Sequence, residues 1–598
     1  MKIILRYLKP FSKRMSVGFG IKVTGTIVEL FLPYILSHIL KNVVVTQSVK
    51  QIVFWGGLMI LCAGTACLFN VVANRMASKV ARDFSEQMRK DLFAKMLRLS
   101  AAQTDHFTIP SLESRITTDT YNVHHFVGMM QRMGVRAPIL LLGGTIITLI
   151  MDWYLALVML VTLPFIFGII YFISRKGVPL YTKVQQSVDK MIRVVREDVQ
   201  GIRVIKALSK TDFEHRRYEE VNQSLVADEK RAGTIMGSVN PLMTLLMNLG
   251  IIAVVTLNAA RVANHQSDPE TVIAFMQYFT LISMAMMTMS RIFVMFTKSA
   301  ASAKRIAEVM DTTEDLVVES TEKYPDKETK AHILFERVSF AYGADDRVAQ
   351  VSAANGSKGL NGQQTAGSSH MDLAEISLEL PKGGTLGIIG ATGSGKSTLV
   401  KLLLRFYDVT KGAIYINGRD IRTIPAEEFC RMFGTAMQYD FLYADTIEEN
   451  IRFGRDLSYE QIEQAAKVAQ AHEFITGFAD GYEHMLSSKA TNISGGQKQR
   501  LLIARAIAAN PRILILDDSS SALDYKTDAN LRQALAEHLG DTTIVTVAQR
   551  VSSIKNSDLI LVLEDGRIIG KGTHEELLQS CQEYKEISDS QMGGAFDE

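Results

Sequence analysis

Apolar residues crowd the first half of the chain in blocks and then give way to short alternating runs. Six blocks, at about 16–44, 51–77, 126–151, 153–174, 240–262 and 271–298, are each long enough to cross a bilayer, since a spanning helix takes about 20 apolar residues. Three connections are short, around Thr46, Asp152 and Ala263–Glu270, and two, 78–125 and 175–239, are long. The long connections hold seven and thirteen Lys plus Arg, whereas the short ones together hold only Lys41, Lys50 and Arg261. Basic loops stay on the cytoplasmic side, so both long connections and both termini are predicted there, in a cell's cytoplasmic membrane. Apolar residues recur at helical spacing inside the second long connection, at Met191, Val194, Val195, Val199, Ile202, Val204 and Ile205. The spacing predicts helices that run past the membrane and reverse at tight turns, placed at Pro110-Ser111 and at Ser209-Lys210-Thr211-Asp212.

Beyond residue 310 the pattern changes. Residues 311–329 are polar and acidic and read as a linker; Ile333 to Tyr342 then alternates as a strand. Residues 343–369 carry Gly, Ser, Ala, Asn and Gln with few large apolar groups, which predicts a flexible insertion. Strand-like runs resume at Ile376–Leu380, Leu386–Ile389 and Arg512–Leu516. The fold class is therefore an all-α membrane domain of six helices over 1–310, followed by an α/β domain over 330–590.

Length agrees, because 598 residues exceed what one core can organise. The net charge of +2 is close to balance and gives no reason for a nucleic-acid partner. Cys62, Cys67, Cys430 and Cys581 form no C-x-x-C pair and read as packing thiols. Met1–Arg14 interleaves Lys2, Arg6, Lys9, Lys13 and Arg14 with apolar residues, the pattern of a helix lying in the membrane interface.

Candidate chemistry concentrates in the second half. Leu386–Ile389 feeds Gly390-Ala391-Thr392-Gly393-Ser394-Gly395-Lys396-Ser397, and Thr398–Leu404 follows as a helix. This strand, glycine loop and helix order lets backbone N–H groups converge on phosphate oxygens at a helix start. Lys396 is placed for the β and γ phosphates of ATP, and Ser397 for Mg2+. Asp517, closing a buried strand, is placed for the same Mg2+, and Gln438 follows an apolar run from which it can reach that ion. In the membrane half Glu29 is a costly carboxylate, read either as a site for a cationic substrate or as a hydrogen-bonded structural residue near Pro33. Met243, Met247, Met276, Met284, Met286, Met287, Met289 and Met295 supply an adaptable surface that suits varied apolar ligands and ordinary helix packing alike.

With these elements in this order the whole chain, about 1–590, resembles an ABC exporter half-transporter of the six-helix type. The resemblance implies that Tyr342 stacks on adenine, Gly390 to Thr398 is the Walker A loop and Gln438 the Q-loop. It further implies that Ile493-Ser494-Gly495-Gly496-Gln497 is the signature, Asp517 the Walker B aspartate and Ser521-Ala522-Leu523-Asp524 the D-loop. In that family Ser494, Gly495, Gly496 and Gln497 close over the ATP of the opposite subunit, so a dimer is implied. Export by alternating access in a lipid membrane is implied too, with the loop tips as coupling helices.

Three departures matter. Asp518 stands where that family carries its catalytic glutamate, Gln549 where it carries the switch histidine, and Ser487-Ser488-Lys489 lacks the glutamate usual ahead of the signature. A carboxylate one methylene short misplaces the lytic water, and a misplacement of about 1 Å can cost about 100-fold in rate. An amide also lacks the imidazole's ionisation. The chain thus resembles the degenerate-site subunit of a bacterial heterodimeric exporter of small amphipathic or lipid-like compounds. The alternatives are a homodimer with two slow sites, a peptide exporter, and an ATP-gated channel or regulator.

Overall fold

The computed structural model describes residues 1–44, 46–264, 268–342, 371–438, 440–519 and 521–592. The predicted insertion at 343–369 lies outside them. The chain divides into two compact units, one formed by Met1–Arg98 with Phe107–Thr312 and the other by Leu99–His106 with Thr313–Glu598.

Among the described residues the first unit holds six helical stretches long and apolar enough to cross a membrane, by length and composition. They are Lys2–Val43, Val49–Met96, Ile109–Met151, Trp153–Gln200, Thr211–Ala263 and Thr271–Met310. The chain is a multi-pass membrane protein. Two of the helices, Val49–Met96 and Trp153–Gln200, have 48 residues each. At 1.5 Å per residue that is about 70 Å, far more than a hydrocarbon core of about 30 Å. Close packing is set by small residues: a Cβ on Gly25 would come within 2.9 Å of Phe69 Cβ, so only glycine lets Ser12–His38 approach Val49–Met96 this closely. Several polar groups inside the unit are paired across helices. Tyr278 donates to Leu30 O at 2.7 Å, Asp119 is fully buried against Arg305, and Arg115 pairs with Glu308 at 3.2 Å. Asp152 caps the next helix by accepting from Tyr154 and Leu155 N–H, and its other oxygen holds Arg261 at 2.6 Å.

The first long connection reverses earlier than the sequence predicts. The helix ends at Met96, Ala101–Phe107 forms a short crossing helix, and Thr108 takes a left-handed φ of 62° before Ile109–Ser114 resumes. Pro110 sits in the first turn of that new helix. Proline suits this position because its fixed φ is helical and its missing N–H would be unpaired there anyway. The second connection breaks at Gly201, makes one short helix, Ile202–Ala207, and turns at Ser209, with φ of 51°, before Thr211–Gly237. Thr211 and Asp212 thus open a helix, and the turn is Ser209-Lys210.

The crossing segment Leu99–His106 belongs to the second unit. Ala101 and Ala102 lie on that unit's main core, Gln103 Nε2 donates to Thr313 O at 2.7 Å, Ser100 Oγ to Asp315 Oδ2 at 2.6 Å, and the Tyr407 hydroxyl to Asp105.

The rest of the second unit is built on two sheets. The smaller is antiparallel, with strands β1 (Ala331–Phe340), β2 (Leu373–Pro381), β4 (Lys411–Ile416) and β5 (Arg419–Asp420) in the order β2-β1-β4-β5. The larger runs β10-β9-β3-β8-β7-β6, from β3 (Thr385–Gly390), β6 (Phe433–Ala436), β7 (Ile513–Asp517), β8 (Thr543–Val547), β9 (Leu559–Glu564) and β10 (Arg567–Gly572). From β9 through β6 every pairing is parallel, and β10 closes one edge antiparallel. β7 is buried at all five positions, as a central parallel strand covered on both faces must be. Each of its large apolar side chains contributes about 2–3 kcal/mol by leaving water. Its two faces lead into separate cores, one joining Ile513 and Ile515 to β3 and β8, the other joining Leu514 and Leu516 to the helix Gly495–Ala508.

Candidate nucleotide site

Parallel strands put all their C-terminal ends on one edge, which is where open α/β sheets hold ligands. Here the neighbours β3, β8, β7 and β6 end at Gly390, Val547, Asp517 and Ala436. The segments just beyond carry the glycine loop, Gln549, Asp518 and Gln438. Residues separated by more than a hundred positions therefore line one cavity of about 270 Å³. Its wall comprises Asp372, Thr392, Gly393, Gly395, Lys396, Ser397, Thr398, Gln438, Asp517, Asp518, Val547 and Gln549.

The loop has its shape because glycine permits it. Gly393 and Gly395 take φ of 87° and 99°, where a side chain would be strained. A Cβ on Gly395 would also lie 2.6 Å from Leu373, whereas one on Gly393 would meet open space. The helix Lys396–Leu403 starts at Gly395 with no side-chain cap, which leaves its first N–H groups for an anion. Lys396 Nζ donates to Gly390 O at 2.9 Å and Ala391 O at 2.7 Å. Burial pulls the pKa of this ammonium below the usual lysine range, against the opposing pull of Asp517 and Asp518.

Asp517 is 2% exposed, and burial pushes its pKa up, opposed by a hydrogen bond from Ser397. Asp518 follows in the left-handed region, φ 53°, a conformation that aspartate tolerates better than most residues. Its N–H donates to Val547 O at 2.9 Å, which fixes it beside the end of β8. Gln549 Nε2 and Gln438 Nε2 both donate to Asp518 Oδ2, at 2.9 and 3.2 Å. Burial raises the Asp518 pKa, and the two amides act against that rise. The remaining oxygen, Asp518 Oδ1, is buried without a hydrogen-bond partner among the described residues, as are Asp517 Oδ1 and Ser394 Oγ. Unsatisfied buried carboxylate oxygens beside a hydroxyl are the hard donor set that suits Mg2+. The residues present therefore fit a magnesium nucleotide.

Tyr342 lies at the mouth, 43% exposed, with its hydroxyl 3.3 Å from Thr398 Oγ1 and the Lys401 ammonium 5.7 Å from its ring centre. Phe340 and Tyr407 brace it edge-on. Two wall residues were missed from sequence. Asp372 accepts the Tyr342 N–H at 2.8 Å and Val547 lines the cavity; Asp372 ends a stretch that reads as a polar loop, and its only signal is the apolar Leu373 after it.

Ser494, Gly495, Gly496 and Gln497 are not part of this cavity. They start the helix Gly495–Ala508, where Gln497 N–H donates to Ser494 Oγ at 3.3 Å and Ser494 N–H to Gln497 Oε1 at 2.9 Å, a reciprocal capping box. The Gln497 side chain is thus engaged in its own helix start, while Ser494 and Gly495 are exposed. Ahead of them Ser487 N–H donates to Asn492 Oδ1 at 2.9 Å, closing the turn that contains Lys489.

Comparison with known proteins agrees along the full length. The family described as ABC transporter transmembrane region matches residues 15–286, and the family described as ABC transporter matches 373–521. The chain is 34% identical to the uncharacterized ABC transporter ATP-binding protein YfiB of Bacillus subtilis (strain 168) over 99% of each. It is 29% identical to the multidrug efflux ATP-binding/permease protein Rv0194 of Mycobacterium tuberculosis (strain ATCC 25618 / H37Rv), over 97% of this chain and 46% of that protein. Its fold is similar to that of a bacterial Atm1-family ABC exporter solved with ATP bound, with a TM-score of 0.78, 21% identity, and 97% and 98% of the two chains covered.

Proposed function

The chain belongs to the ABC transporter family, with its transmembrane region and its ATPase domain on one polypeptide, and we propose that it is the retentive half of a heterodimeric exporter. In this reading it binds ATP and hydrolyses it poorly at its own cradle, and lends Ser494–Gln497 to the ATP held by a second half-transporter. Together the two subunits move small amphipathic or lipid-like compounds out across the cytoplasmic membrane, with both termini on the cytoplasmic side. The name of the Rv0194 relative, a multidrug efflux protein, is consistent with that substrate class.

The observation that carries the reading is the sharing of Asp518 Oδ2 by Gln438 and Gln549. A carboxylate that must orient and deprotonate a water needs a free oxygen at the right reach. Here the side chain is one methylene shorter than a glutamate, and two amide donors occupy one of its oxygens, leaving only the buried Oδ1 to reach for a water. The backbone amides of Gly393 to Thr398 with Lys396 would hold the phosphates, Ser397, Asp517 and Gln438 the Mg2+, and Tyr342 the adenine. When bound, Mg2+ offsets phosphate charge. Both half-sites of this chain are incomplete without a partner, because the signature segment lies outside its own cavity.

The test is stoichiometry against turnover. The purified full-length chain should retain about one ATP per chain, with hydrolysis at least about tenfold slower than that of the assembled transporter. Equal turnover by the lone chain would overturn the reading.

A further inference from the structure

Glu29 does not stand free for a cation. Arg136 donates to both of its oxygens, from Nη2 at 2.6 Å and Nε at 3.3 Å, so this carboxylate is neutralised in place. What remains around it is positive. Lys22, about two turns earlier on the same helix, is 4% exposed, and among the described residues its ammonium donates only to the neutral amides of Asn70 and Asn74, at 2.7 and 3.1 Å. Arg132 is half-buried in a π-turn, Met130–Gly134, and donates Nε to Gly128 O of its own helix at 3.1 Å. The helix Ser12–His38, which carries Lys22 and Glu29, packs against both the π-turn that carries Arg132 and the helix Val135–Met151 that carries Arg136, so the four charges gather along one seam. Three cations face one carboxylate, and among the described residues no other carboxylate lies within ion-pair distance of Lys22, Arg132 or Arg136.

Each of these groups is costly where it sits. Lys22 and Glu29 lie about 9 and 20 Å along the helix from residue 16, where the apolar stretch begins. Uncompensated cations at that depth are expensive and mark ligand paths. Structural need accounts for the Arg136–Glu29 pair, but not for two further cations beside it. The π-turn that carries Arg132 is an irregularity of the kind found at functional sites. The cluster is also reachable: the Arg136 side chain is 41% exposed. Phe19, one turn before Lys22, and Met133, beside Arg132, are exposed apolar residues.

We propose that Lys22, Arg132 and Arg136 form a subsite for the anionic headgroup of an amphiphile. A phosphate or carboxylate would supply the missing counter-charge, and its tail would lie on apolar helix surface. The proposal rests on the export reading for the ligand's role as cargo, but not for binding itself. It inverts the charge that Glu29 alone suggests.

The probe is radiolabelled dodecyl phosphate, bound at equilibrium and without nucleotide to the full chain in phosphatidylcholine nanodiscs. Binding should saturate, be displaced by unlabelled dodecyl phosphate and resist dodecyltrimethylammonium. Arg132→Gln, which among the described residues removes a side chain hydrogen-bonded only to its own helix, should weaken binding about tenfold, and Arg132→Lys should restore most of it. Lys22→Met is the second variant, with the same expected direction. Displacement by phosphatidylglycerol in the nanodisc would identify the headgroup's source as the bilayer, and resistance to it would identify a free amphiphile; either outcome supports the site. Equal displacement by the cationic detergent, or unchanged affinity in both Arg132→Gln and Lys22→Met, would overturn it. Because no hydrolysis is read, that failure is separable from failure of the retentive-site reading, which ATP turnover alone decides.

Discussion

The helices Lys396–Leu403 and Gly495–Ala508 begin in opposite ways. The first starts from a left-handed glycine with no side-chain cap, inside the cavity. The second starts from Ser494 and is closed by its own capping box, at an exposed position outside that cavity. Four N–H groups at a helix start need partners, so an uncapped start is stable when something else supplies them, whereas the capping box already satisfies two of them from its own side chains. The cradle is thus built to take a phosphate within this subunit. The signature segment is a preformed surface that holds its shape without one.

That contrast can be broken by experiment. The largest effect expected is from Lys396→Ala, which should lower ATP affinity of the lone chain about 100-fold or more, since a charge-assisted contact to a polyanion is lost. Ser494→Ala should leave that affinity within about twofold by calorimetry, and an equal loss in both would show that the signature serves the chain's own site. Next in size, Asp518→Glu with Gln549→His should raise hydrolysis at the cradle about 10- to 100-fold in the assembled transporter. Each single change should yield less than its share, because Gln438, Asp518 and Gln549 act through one oxygen. Ser494→Ala should also cost about 1 kcal/mol of local helix stability, read as faster hydrogen exchange of the amides at 495–498.

The smallest effect tests the frame that carries both helices. His332 is 3% exposed, its Nδ1 lies 2.6 Å from Thr543 Oγ1 at the start of β8, and burial pushes its pKa down, with Lys382 and Arg512 adding to the shift. Its folded pKa is below its unfolded one, so the unfolded chain binds more protons in that window and stability rises with pH. The contribution is full above the unfolded histidine value of about 6.5 and is lost as pH falls below it. Thermal unfolding of the full chain followed from pH 7.5 down to 5.5 should weaken, and His332→Gln should flatten that slope.

The phosphate loop, the helix that follows it and the ends of β3 and β7 were legible because each is a local pattern: a strand run, glycines at turn spacing, then helical periodicity. It misplaced the first reversal because a Pro-Ser pair signals a turn or a helix start equally well, and only the docking of Ala101 and Ala102 on a distant core selects between them. Asp372 was missed since its partner, the Tyr342 N–H, lies thirty positions away. The Gln497 side chain caps the helix start at Ser494, a bond that periodicity alone does not reveal.

Sequence by itself determined the six apolar stretches, the phosphate loop and the two substitutions at Asp518 and Gln549, all set by side-chain chemistry over a few neighbouring positions. Tertiary structure decided which oxygen of Asp518 both amides would share, and that Glu29 would be answered by Arg136 and outnumbered by cations. Those outcomes depend on parallel strand order and on helix packing that bring together residues 31 to 107 positions apart, a distance over which no local pattern carries information.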